Sequence, residues 1–434
     1  MERVIIANAR YWLDYLNARA EDDPVPEPDI RGVARALEAV MTVSETWPLA
    51  QSLASALHPH VERRGYWADW DDFLQGLTAH TRRGSDPAAE AELLTMRGEI
   101  QRQRGAYQAA VNSYRRAWWL CRRTGDQIGR ARALSNLGDL YRLQGRFRRA
   151  EVLCRGALAL FEALGDTARL AYTENHLGLV YYDQGRWSEA LPHLARSEAL
   201  WQQVGDPHGR AKTLQNLGVL HRRTGDLEAA LDYFRQAIRH YRAVGDEIHV
   251  ARTQLNVGNV YLNQSDLLRA ERAYSQAEAV LKRTGDSLDL ARARHNLGIV
   301  YTRLNDWTEA ETCFERALEQ WRNRGDTWNL ANTLGELVGL QLTRGRWAEA
   351  QGRLDEAWEL VSAGRGVHYD RLRRELARRR QELCRLAGPR PSSIQKGSEA
   401  APSQPGDEVG PGADPGPTSV DSAAAAGRRL TLLG

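Results

Sequence analysis

A chain of 434 residues with 42% hydrophobic and 26% charged residues is too long for one ordinary compact domain and too apolar for wholesale disorder. A net charge of +3 gives no field that would draw nucleic acid or an anionic membrane to the whole molecule, although only Lys212, Lys282 and Lys396 among the 59 basic residues are not arginine. Cys121, Cys154, Cys313 and Cys384 stand far apart with no C-x-x-C pair, so neither a disulfide framework nor a zinc site is readable and a reducing cytosol is the default compartment.

The N-terminal run MERVIIANARYWLDYL is interrupted by Arg3, Arg10 and Asp14 and lacks the apolar core of a signal peptide. Nowhere do 18 apolar residues run together, so no membrane-spanning helix is expected. Residues 1–45 have helical periodicity over about 3–20 and 28–45, split by the EDDPVPEP turn, and read as a helical cap. Segment 46–85 keeps Gly65, Leu74 and Leu77 of the pattern that follows but puts Trp70 in a slot for a small residue. It reads as a degenerate repeat.

From residue 86 the chain repeats. Gly-Asp recurs at 125–126, 165–166, 205–206, 245–246, 285–286 and 325–326, forty residues apart each time. A second glycine keeps the same period at Gly65, Gly105, Gly145, Gly185, Gly225 and Gly345, with Ser265 and Asn305 in the two remaining slots. Between these marks both halves are amphipathic helices, as with Leu134, Leu137 and Tyr141, then Phe147, Ala150, Cys154 and Ala157. Glycine suits a left-handed helix end, and the aspartate after it suits the N-cap of the next helix. Each unit is therefore a pair of antiparallel helices. Gly138, Gly178, Gly218, Gly258 and Gly298 fall inside first helices, where each costs about 1 kcal/mol relative to alanine, so a close helix approach must require them. Alanines at 110, 150, 190, 230, 270, 310 and 350 and at 117, 157, 237, 277, 317 and 357 mark the partner helix, with Tyr114, Phe234, Tyr274 and Phe314 between them.

The order Asn256, Val257, Gly258, Tyr261, then Ala270, Tyr274, Ala277, resembles the tetratricopeptide repeat (TPR). The forty-residue period is similar to the long-repeat branch found in kinesin light chains, Pins-type adaptors and the sensor halves of bacterial STAND ATPases. The resemblance covers about 86–365 in seven units. ARYWLDYLNARA also resembles a segment preceding the repeats in some STAND proteins. In the last unit Val338 and Gln341 replace the glycine and tyrosine, as suits a terminal repeat. Residues 366–388 read as a capping helix with Leu372, Leu376, Leu383 and Leu386 inward and its arginines solvated. The Pro-, Ser- and Gly-rich stretch 389–434 cannot bury a core and is expected to be a disordered tail.

Nothing in the pattern supports catalysis. No lysine sits in a Gly-Lys-Ser/Thr phosphate loop, and His58-Pro59-His60 lacks a third metal ligand nearby. The recurrent aspartates are explained as helix caps. No enzyme activity, cofactor or metal is expected. The resemblance instead implies an all-α, right-handed TPR α-solenoid of about eight hairpins whose first helices line a concave groove. In that groove Arg132, Lys212, Arg252 and Arg292 form one column. Asn136, His176, Asn216, Asn256 and Asn296 form a second, with Asn175, Asn259, Arg222 and Arg303 beside them. The asparagines either brace neighbouring helices or hydrogen-bond an extended peptide's backbone, and the cations favour carboxylates. The expected function is a cytoplasmic protein-interaction scaffold for an acidic peptide segment. A regulatory subunit of a separate STAND-type ATPase and a nucleic-acid-binding solenoid are the alternatives, the latter disfavoured.

Overall fold

The computed structural model describes residues 2–18, 25–43, 46–64, 67–84, 86–285, 287–364 and 367–387. Among the described residues there are nineteen α-helices and no strand. Gly65, Asp286 and the expected tail, 389–434, lie outside them. The chain divides between Gln264 and Ser265 into two compact units.

In the first unit α1 (Glu2–Asn17), α2 (Glu27–Met41) and α3 (Trp47–Arg64) pack on one another, and α4 (Trp67–Arg83) lies against α5 (Pro87–Gln103). Trp70 explains how this region departs from the repeat. It is buried at the alanine phase, stacks on Phe73 at 5.1 Å and donates its indole N–H to His58 Nδ1 at 3.1 Å. Regular pairs follow: α5 with α6 (Tyr107–Thr124), α7 (Gln127–Leu143) with α8 (Phe147–Leu164), α9 (Thr167–Asp183) with α10 (Trp187–Val204), and α11 (Pro207–Thr224) with α12 (Leu227–Ala243). The unit closes with α13 (Glu247–Asn263), packed on α12. The second unit comprises α14 (Leu267–Thr284), the pair α15 (Ser287–Arg303) and α16 (Trp307–Arg324), the pair α17 (Thr327–Thr343) and α18 (Trp347–Ala363), and α19 (Val367–Ala387).

Local chemistry sets these boundaries. Backbone with φ of 66–90° occurs at eleven glycines from Gly105 to Gly345, and Ser265 (58°) and Asn305 (61°) adopt the same left-handed conformation where glycine is replaced. Asp126, Asp166, Asp206, Asp246 and Asp326 each accept hydrogen bonds from the first turn of the following helix. Asp226, Asp266 and Asp306 do the same for second helices.

The internal glycines are steric. A Cβ at Gly218 would lie 2.6 Å from Phe234 Cε1, and one at Gly298 would lie 2.5 Å from Phe314 Cε1. Gly98 belongs to the same series, 2.4 Å from the Tyr114 ring, so the small slot begins one unit earlier than the sequence reading placed it.

Helix α19 packs on α17 and α18 through buried Leu372, Leu376 and Leu383, whereas Leu386, in its last turn, is 42% exposed rather than turned inward. Its arginines are not simply solvated. Arg379 lies over Gly339 and pairs with Glu336 at 3.3 Å, Arg380 pairs with Asp355 at 2.9 Å, and Arg373 Nε donates to the Val361 carbonyl at 3.1 Å. Gly335, Glu336 and Gly339 are the α17 counterparts of Ser135, Asn136 and Asp139. The last helix thus covers the surface that a further first helix would cover.

Candidate functional site: the polar face of the first helices

Within the first unit α5, α7, α9, α11 and α13 follow one another as neighbours, each touching the next. Residues 132, 136, 139 and 142 of α7 are spaced by four and three, which puts them on one face of the helix. That face is largely covered by the adjoining first helices. Asn136, Asp139, Arg142 and His176 are all less than a tenth exposed.

The contacts form a ladder. Glu99 of α5 receives Arg132 Nη2 at 3.1 Å, Asn136 Nδ2 at 3.4 Å and His58 Nε2 at 2.9 Å. Burial alone would raise the Glu99 pKa, but Arg132 and His58 outweigh it and hold the carboxyl well below its ordinary range. With Nδ1 accepting from Trp70 and Nε2 facing Glu99, both nitrogens of His58 are engaged in packing. One turn on, Arg142 bonds Asp139 at 2.8 Å and reaches Asp183 of α9 at 2.6 Å. Burial opposes the charge on Arg142, yet the two carboxylates raise its pKa, and Arg142 and Arg102 in turn outweigh burial and hold Asp139 low. His176 sits beside this cluster with Ser135 at 3.4 Å from Nδ1. Burial, helped by Arg142 and Arg102, lowers its pKa to about 4, so the imidazole is neutral. Over α5, α7 and the adjoining edge of α9, the face expected to meet a partner is instead satisfied internally.

From α9 to α13 the face opens. Asn216 donates Nδ2 to Asn175 Oδ1 at 2.9 Å, and both side chains stay half-buried. Lys212 is exposed, and Arg222, Arg252 and Asn259 are half-buried. Tyr172, which takes the lysine–arginine column's place on α9, is 39% exposed with its ring edge-on to His176 at 4.2 Å; its aromatic character breaks the column and escaped the sequence reading. Asn256 is buried, and its Oδ1 has no hydrogen-bond partner. Helix α11 carries Arg210, Lys212, Arg222 and Arg223 and no carboxylate along its 18 residues. In the second unit Arg292 pairs with Asp289 at 2.9 Å, Asn296 is half-buried, and Arg303 is exposed.

A cleft of about 400 Å³ adjoins the ladder at the starts of α5 and α7, with Glu92, Asp126, Arg132 and Arg169 in its wall. Its one thiol, Cys121, is pushed up to about 12 by burial and by Asp126, which leaves it protonated and a poor nucleophile. Among the described residues no helix is long and apolar enough to cross a membrane.

Comparison with known proteins places this geometry. Family models described as tetratricopeptide repeat match residues 130–164, 166–243, 249–319 and 300–363. No curated protein sequence matches the chain significantly. A Rap protein complexed with competence and sporulation factor has a similar fold, with 14% identity and a TM-score of 0.56 over 87% of this chain and 99% of that one. A STAND protein with a tetratricopeptide repeat sensor from Pyrococcus horikoshii is similar at 15% identity and a TM-score of 0.55, covering 77% of this chain and 52% of its own. The apo quorum sensor NprR from B. thuringiensis gives 15% identity and a TM-score of 0.52 over 83% and 99%. Forty-residue helix pairs, left-handed closing residues, glycine slots facing bulky side chains and these matches together show that the chain belongs to the tetratricopeptide-repeat family.

Proposed function

We propose that this chain is a non-enzymatic protein-interaction scaffold that binds an extended acidic segment of a partner protein along the first-helix face of its first unit. The carrying observation is α11, which has no carboxylate and turns Lys212 and Arg222 to the middle of the open stretch, while its Arg210 pairs with Glu198 of α10 at 2.7 Å. Lys212 and Arg252 stand one repeat apart in one column and would meet successive carboxylates, with Arg222 adding charge lower on the same helix. Asn175, Asn216 and Asn259 have the donors and acceptors to bond a peptide backbone without regard to its side chains. Arg132, Asn136 and His176 support the face from beneath, since their bonds run to neighbouring helices. Arg292, Asn296 and Arg303 hold the equivalent repeat positions in the second unit. A Rap relative was solved with a bound factor, which supports ligand recognition by this fold.

Selection from a random peptide library displayed on phage, with the full chain as bait, tests the reading. Enriched sequences should be rich in Asp and Glu and lose retention as salt rises. Selection of basic or purely apolar sequences would contradict it.

A further inference from the structure

One cluster beside the groove departs from the general repeat pattern. Asp246 caps α13, and its Oδ1 accepts the His249 backbone N–H at 3.0 Å. Its other oxygen, Oδ2, faces two imidazoles: His208 Nε2 at 3.1 Å and His249 Nδ1 at 2.7 Å. His208 comes from the first turn of α11, so the trio joins two successive repeats.

Other cap aspartates spend the second oxygen differently. Asp166 gives it to the Arg169 guanidinium, and Asp326 to Asn329 Nδ2. The slot of His208 holds Ile128, Ala168, Ile248, Leu288 and Trp328 elsewhere, and that of His249 holds Gly129, Arg169, Gly209, Asp289 and Asn329. Among the described residues, two histidines converge on a cap carboxylate only here.

The cluster is also built. Tyr241 stacks on the His249 ring at 5.0 Å and meets the His208 ring edge-on at 5.8 Å, which limits where both imidazoles can turn. The His249 Nδ1 atom is buried and, despite its 2.7 Å approach to Asp246 Oδ2, makes no aligned hydrogen bond. An imidazole nitrogen, a second one and a carboxylate oxygen lie within 4.8 Å of one another, the one group of this kind among the described residues.

We propose that His208 Nε2, Asp246 Oδ2 and His249 Nδ1 bind one Zn²⁺ ion, with solvent completing a tetrahedral shell. Two imidazoles and one carboxylate are a donor set suited to zinc, and ligand distances of about 2.0–2.2 Å need only small side-chain rotations from the present separations. Lys212 and Arg252 act electrostatically on His249 and oppose any bare cation nearby. Affinity must therefore come from coordination bonds, and Mg²⁺ or Ca²⁺, which need oxygen-rich shells, should not compete. Bound zinc would link the start of α11 to the start of α13.

The test titrates Zn²⁺ into the chelator-treated full chain by calorimetry, with Co²⁺ absorption as a second readout of tetrahedral coordination. His208→Ala removes one ligand, and Asp246→Asn removes the anionic ligand while keeping a cap-competent side chain. One equivalent should bind to the parent and raise its thermal midpoint, and each variant should bind at least about tenfold more weakly. Should His208→Ala fail to fold by circular dichroism, Asp246→Asn decides alone. Absence of a stoichiometric site, or unchanged affinity in the folded variants, would overturn the proposal.

Discussion

His176 shows how one side chain can depart from a repeat and still be fixed by it. Asn136, Asn216, Asn256 and Asn296 hold its slot in other units, where an amide can donate and accept at once. The imidazole here is buried beside Asp139 and Arg142 and held neutral, with its pKa near 4 against 6.5 when exposed. The unfolded chain therefore takes up a proton as pH falls through 6.5, and the folded chain does not until about 4. Stability from this group is lost on acidification across that window, by roughly 3 kcal/mol in all, and changes little below it. His176→Asn supplies the residue used elsewhere in the column and removes the titration. Urea midpoints at pH 7 and pH 4.5 should lie closer together in the variant than in the parent. Equal separations would show that His176 is not held neutral. The column itself was legible from the period. Its burial was not, because a forty-residue repeat tells which residues are equivalent but not which neighbour covers them. The bond from Asn216 to Asn175 and the reach of Arg142 to Asp183 each join residues 41 apart, one step off the repeat, so no single column contains both partners.

At the scale of the helix pair, shape complementarity dominates. The glycines of α5, α11 and α15 each admit an aromatic ring of the partner helix, and the pairing of Gly218 with Phe234 has no room for even a methyl group. Gly218→Leu forces the α11–α12 pair apart and should destabilise the protein by about 1–3 kcal/mol or more. Chemical denaturation checks this, and a variant as stable as the parent would contradict the packing. This feature was fully legible, because glycine in a helix interior is costly and its recurrence at one phase demands a steric cause. The first four helices were less so. Trp70 breaks the phase, and its pairing with His58 joins α3 to α4 in a way that no spacing signals. Helix α19 lies between these cases: its leucine stripe marks the covered face, but of the arginines read as solvated Arg379 and Arg380 instead pair with carboxylates of α17 and α18, while Arg371, Arg374, Arg378 and Arg385 are exposed.

At the largest scale, one helical face of the first unit has two characters. From α5 to the near edge of α9 it is a closed network in which Glu99, Asp139 and Asp183 neutralise Arg132 and Arg142. From α9 to α13 it presents Lys212, Arg252 and a row of amides around a helix without carboxylates. In the proposed function the closed part supplies rigidity and the open part recognition. That division is the central claim, and calorimetric titration of a selected acidic peptide tests it most directly, comparing the parent with a Lys212→Glu/Arg252→Glu double variant at low and moderate salt. A charge-assisted hydrogen bond is worth about 1.5–3 kcal/mol, so losing two should weaken binding by at least about a hundredfold and flatten the salt dependence, with helicity unchanged. Binding of equal strength and equal salt dependence in a folded double variant would contradict the claim and place the partner elsewhere on the molecule.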